Sequence, residues 1–225
     1  MDLSIAICPS TPLLVPELGG EAAEETADLR EAAITAARSL PTRWIAIGVG
    51  AGRYRGEVLG TFAGYGVDVR VSLGPVAAPA EPVELPLPVL IAGWLRARAG
   101  ADEVEVRLVG AAHGDGVALG RALRVEIEAQ PNPPGVLIVA DGANTLTDKA
   151  PGGYRPEAQR AQLALVDALT RGDAAVLHHS PDVITGSAAY QVLTGLVGSD
   201  AVQARCLYHG SPYGVGYFVG TWQVS

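Results

Sequence analysis

The sequence predicts one three-layer α/β/α domain with a mostly parallel central sheet and an antiparallel pair of strands at its C-terminal end. Three observations predict it. Strand-like apolar runs alternate with stretches of helical periodicity along the 225 residues, the pattern that lays helices on both faces of a sheet. The run Val136 to Ala140 is apolar throughout and stops abruptly at Asp141, as a strand buried on both faces does. The last two strand-like stretches, Val202 to Tyr208 and Gly214 to Trp222, are joined by the short turn His209 to Tyr213, so they run antiparallel.

Taken in order, Leu3 to Cys8 reads as a short buried strand. Pro9 to Pro16 holds three prolines, which argue against regular structure there. Glu21 to Leu40 carries Ala22, Thr26, Leu29, Ala33, Ala36 and Leu40 at helical spacing, and Pro41 ends it. Its first turns hold Glu21, Glu24 and Glu25 and its end holds Arg38, which suits the helix dipole. Arg43 to Val49 is a second strand. It breaks at the glycine-rich turn Gly48 to Gly52, which lacks the spacing of a dinucleotide-binding fingerprint. Glu57 to Ser72 holds one or two short strands. Gly74 to Pro88, with five prolines, is an irregular connection.

Leu87 to Ala99 reads as a buried helix, and Glu103 to Val109 alternates as a strand with one polar face. Gly110 to Gly116 is a tight loop before a helix over Val117 to Ala129. After the Val136 strand and its polar loop, Arg155 to Thr170 is a helix with Pro156 in its first turn and Gly172 just beyond its end. Ser187 to Leu196 is a further helix.

Hydrophobic residues make up 48% of the chain, enough for the core of a single domain over residues 1–225. The net charge of -8 argues against a nucleic-acid partner. Lys149 is the only lysine. The longest apolar run, Leu87 to Leu95, is about half a membrane span. With no basic leader at the N-terminus, the expectation is a cytoplasmic protein. Cys8 and Cys206 read as thiols buried in strands, and no CxxC is present.

A buried strand that ends on a carboxylate and passes through a loop into a helix is where open α/β sheets place ligands. Asp141 is therefore a cleft candidate, although an aspartate there also serves to bond backbone amides of its own loop. Lys149, in the same loop, stands ready for Asp141, Asp148, an anion or solvent. Gly114 to Gly116 opens a helix and could cradle an anion. Tyr213, Tyr217 and Trp222 read as core aromatics.

Four stretches together resemble the class III extradiol ring-cleavage dioxygenase-like superfamily, including its Memo-like branch. They are Cys8 to Glu17 (CPSTPLLVPE), Trp44 to Gly50, Ala140 to Asn144 (ADGAN) with Lys149 to Tyr154, and Tyr208 to Tyr217 (YHGSPYGVGY). Their order spans nearly the whole chain. The resemblance implies the three-layer fold, and in active members an iron(II) held by two histidines and a carboxylate, with another histidine moving protons. Residue by residue, the ligand positions here hold Ser10 and Gly50, and the proton-transfer position holds Asn144. The carboxylate position falls within 185–189, where no acid stands, and no glutamate follows Glu157. Only Asp141 matches a polar family position.

The expectation is thus a degenerate relative without a cofactor, binding a small ligand or a protein partner in a cleft drawn from Ser10, Gly50, His113, Asp141, Asn144 and Lys149. The alternative is a ring-cleavage dioxygenase or hydrolase with relocated ligands, its iron or zinc held by His113, Asp141 and His209. Ser10, His113 and Asp141 also suggest a nucleophilic set, but no GxSxG elbow surrounds Ser10. A third reading is an assembly role as a homo-oligomer, since relatives of this kind often pair.

Overall fold

A computed structural model of the chain describes residues 2–76, 81–110 and 115–225, the side chains of residues 21, 22 and 115 aside. Seven strands form the main sheet: β1 (Leu3–Cys8), β2 (Arg43–Val49), β3 (Arg53–Tyr54), β6 (Glu103–Val109), β7 (Gly135–Val139), β8 (Val202–Gly210) and β9 (Tyr217–Val224). Their order is β3-β6-β2-β7-β1-β9-β8. The central four, β6, β2, β7 and β1, are parallel. Strand β9 runs antiparallel to β1 and to β8, the latter as the short C-terminal turn requires. A separate hairpin pairs β4 (Leu59–Thr61) with β5 (Arg70–Ser72).

Successive residues of a strand face opposite layers, and here the alternation sorts the core in two. Ile5, Ile7, Ile45, Ile47, Val136 and Ile138 pack under α4 (Asp115–Glu128), α5 (Pro156–Arg171), α6 (Ala174–Leu177) and α7 (Ser187–Val197). Ala6, Cys8, Trp44, Ala46, Leu137 and Val139 pack under α2 (Ala27–Arg38) and α3 (Leu87–Ala99). All five residues of β7 are buried. Each large apolar side chain removed from water in this way contributes about 1.5–3 kcal/mol. Trp222 is wholly buried and satisfies its indole by donating to the Leu169 carbonyl at 2.9 Å.

Strands β2 and β6 and helix α3 have the predicted limits. Four expectations need correction. The proline-rich segment is not irregular: Pro12–Leu14 is a 3₁₀ turn and Pro16–Gly19 a short helix, α1. Proline fits a first helical turn, where its missing N–H costs no bond. The Thr11 hydroxyl caps the 3₁₀ turn by accepting from the Leu13 N–H. Helix α2 starts at Ala27, not at Glu21, because a 3₁₀ turn over Gly20–Ala23 precedes it. Tyr213 is not core: it is 49% exposed, while Tyr217 and Trp222 are buried. Cys206 is half-buried and only Cys8 is enclosed.

Helices α4 and α7 pack closer than side chains allow. A Cβ on Gly120 would lie 2.2 Å from the Val192 carbonyl oxygen, and one on Gly195 would lie 2.2 Å from that of Val117. Gly116 meets the Ala188 carbonyl in the same way, at 2.5 Å. The glycine expected to cradle an anion instead lets two helices touch; Gly114 lies outside the described residues.

Candidate functional site

Strands β1 and β7 are parallel neighbours, yet their connections leave on opposite faces. The chain from β1 passes through α2 to β2, and the chain from β7 passes through α5. Between two such diverging loops the carboxyl ends of the strands open a crevice. The backbone N–H of Ser10, after β1, donates to Oδ1 of Asp141, after β7, at 2.8 Å. The crevice has a volume of about 280 Å³. Ser10, Asp141, Thr185 and Gly186 give it a polar end, and Val49, Leu87, Pro88, Val139 and Ala140 give it apolar walls.

The Asp141 loop is held from three sides. Gly142 N–H donates to the Gly216 carbonyl, and Gly216 N–H donates back to the Ala143 carbonyl, both at 2.8 Å. Gly186 N–H donates to the Asp141 carbonyl at 2.9 Å, and Thr185 bonds the Gly142 carbonyl with both its N–H and its hydroxyl. From α5 the buried Gln162 accepts the Ala143 N–H through Oε1 at 2.9 Å. Gln162 lies so close to Gly142 and Gly216 that a Cβ on either would be about 2 Å from its amide. Below the loop, the buried Tyr190 hydroxyl donates to the Ala140 carbonyl at 2.9 Å.

Burial pushes the Asp141 carboxyl up from its ordinary value to about 7, against the Ser10 N–H, which favours the charged form. Tyr217, beside Thr11 at 3.1 Å, is raised by burial to about 12. Tyr190 is raised by burial and by the nearby Asp141 charge. The ion pairs of the described residues do not include Asp141.

Of the residues proposed from the sequence, the structure brings Ser10 and Asp141 together. Gly50 follows the lining residue Val49, has φ +146°, and packs against Leu108 rather than into the crevice. Asn144 is half-buried and turned to Gly152, whose N–H bonds its carbonyl. Lys149 is exposed and borders a separate hollow with Thr147, Asp148, Ser211 and Tyr213. His209 is exposed on the edge strand β8, paired with Phe218. His113 lies outside the described residues. Gln162 escaped the sequence reading, and Thr185 and Gly186 entered it only as part of the 185–189 stretch that lacks the acid the resemblance implies. The signal for Gln162 was a lone amide on the apolar face of α5.

A ferrous site needs imidazoles and a carboxylate on one face with open positions. Among the described residues this crevice offers one carboxylate, two hydroxyls and no imidazole. No group of three or more His, Cys, Asp or Glu side chains converges among them. That donor set does not fit iron. No helix of the described residues is long and apolar enough to cross a membrane. The chain matches no family model and no curated protein.

Proposed function

We propose that this chain is a degenerate relative of the class III extradiol dioxygenase-like superfamily, and that it binds a small ligand in the crevice at Ser10, Asp141 and Thr185 without a metal. One observation carries the reading. A carboxylate stands at the switch point of the sheet, fixed by the Ser10 N–H, with its other oxygen left for a ligand. The loop around it is built rigidly, through Gln162, Thr185 and the Gly216 backbone. Such a framework preorganises a site and lowers the entropy lost on binding. The order of the four motif stretches and the three-layer sheet support the family reading.

The test pairs a fragment screen with metal analysis. Fragments that bind are expected to shift the amide resonances of Ser10 and Gly186, and protein purified without chelator from iron- and zinc-supplemented cells is expected to carry neither metal in stoichiometric amount. A library that leaves both amides unmoved refutes the binding reading. Stoichiometric iron or zinc that Asp141→Asn removes would replace it with the metalloenzyme reading.

A further inference from the structure

Resting on that reading, we infer that the crevice takes a small organic monocation, a primary ammonium on a short alkyl chain. Asp141 has one oxygen occupied, by the Ser10 N–H at 2.8 Å. Its second oxygen has no partner among the described residues, and no lysine or arginine lines the crevice. A half-buried carboxylate without a counter-ion is costly, and a cation brought by the ligand relieves that cost.

The other polar groups suit the same ligand. The Ser10 hydroxyl makes no bond within the described protein and has lone pairs to offer. The Thr185 hydroxyl spends its hydrogen on the Gly142 carbonyl at 2.8 Å, so towards the crevice its oxygen can only accept. A carboxylate oxygen and two hydroxyl oxygens form an acceptor set for the three N–H bonds of a primary ammonium. An anion would meet Asp141 with no cation to hold it. A calcium ion takes about 6–8 oxygen ligands, and the side chains here supply one carboxylate and two hydroxyls.

The walls set the rest of the ligand. Val49, Leu87, Pro88, Val139 and Ala140 present apolar surface. The volume of about 280 Å³ lies just below the range of small-molecule sites, about 300 to 1,000 Å³. A short alkyl chain fits both facts.

The experiment titrates the full chain at pH 8, where Asp141 is ionised, with three probes of one shape: n-butylammonium, n-butanol and butyrate. Chemical shifts of the Ser10 and Gly186 amides are followed by two-dimensional NMR. The ammonium is expected to shift both amides saturably and to bind at least about tenfold tighter than butanol, the usual advantage of a charge-assisted bond. Asp141→Asn keeps an acceptor for the Ser10 N–H, and in that variant the ammonium is expected to fall to the affinity of butanol. Butanol or butyrate binding as well as the ammonium overturns the inference and leaves the binding reading standing. Ferrous or zinc ion displacing the ammonium at micromolar concentration overturns it in favour of a metal. Silence of both amides towards all three probes, and towards the fragment library, overturns the binding reading itself.

Discussion

Replacing Asp141 by asparagine should make this protein more stable at pH 8. The carboxyl is raised by burial from 3.8 to about 7, so the folded state holds a proton that the unfolded chain releases. The stability from that proton is complete below pH 4 and is lost as pH rises to 7; above this the folded protein carries an enclosed charge. At about 1.36 kcal/mol per unit, the full cost at pH 8 is about 4 kcal/mol. The side chain is open to the crevice on one side, and water there reduces the realised value to about 1–3 kcal/mol. Asparagine removes the charge and keeps an acceptor for the Ser10 N–H, now 2.8 Å away.

The assay is urea unfolding of both proteins from pH 4 to pH 8. The difference between them cancels titrations not coupled to this position. The variant should gain about 1–3 kcal/mol at pH 8, or several degrees in Tm for a chain of this size, and the gap should close towards pH 4. A gap that does not change with pH, or a variant less stable at pH 8, would refute the reasoning.

Four further outcomes follow from the packing. Gly120→Ala should destabilise by about 2 kcal/mol or more despite alanine's better helix propensity, because its Cβ meets the Val192 carbonyl oxygen at 2.2 Å; urea unfolding measures it. Gln162→Leu leaves the buried Ala143 N–H without its acceptor and should cost about 1–3 kcal/mol, with faster hydrogen exchange at that amide. Tyr190→Phe removes the bond to the Ala140 carbonyl and should cost about 1 kcal/mol, read from the same transitions. Arg107→Met should weaken the fold by about 1–2 kcal/mol, since Arg107 bonds both Glu105 and Glu126. NMR titration of that variant should show the Glu105 carboxyl moving up, since burial raises it and Arg53 and Arg107 together hold it below its ordinary range.

The layers of this fold were legible because its strands announce themselves. Val136 to Val139 is apolar without interruption, as suits a strand covered on both faces, and it is too short for a buried helix such as Leu87–Ala99. Strict alternation in Glu103–Val109 gave β6 its limits. Local chemistry was less legible where it depended on docking. The prolines of Pro9 to Pro16 suggested irregular backbone, yet each one that opens a turn, Pro12 and Pro16, does so in a helical conformation. Periodicity carried α2 back to Glu21, but periodicity does not see where a turn tightens, and the helix begins at Ala27. Gly116, Gly120 and Gly195 gave no sign in sequence that they face one another across two helices.

For the site, the sequence by itself determined that a carboxylate ends the buried strand β7, and which residue types stand beside it. Asp141 follows an apolar run wherever the chain folds, and Ser10 follows the first strand for the same reason. Only the tertiary structure decided which residues share the crevice. Strand order places β1 beside β7, although 126 positions separate Cys8 from Gly135 in the chain; this brings the Ser10 N–H to Asp141. The same packing turns Asn144 towards Gly152 and leaves Lys149 and His209 exposed. It lines the crevice with Thr185 and Gly186, at the stretch where the resemblance places a carboxylate that this chain lacks. Sequence records what each residue can bond, whereas contact between distant residues arises when helices cover a sheet and its loops must share one rim. Burial does the last step: it raises the proton affinity of Asp141 above that of an ordinary strand-end aspartate.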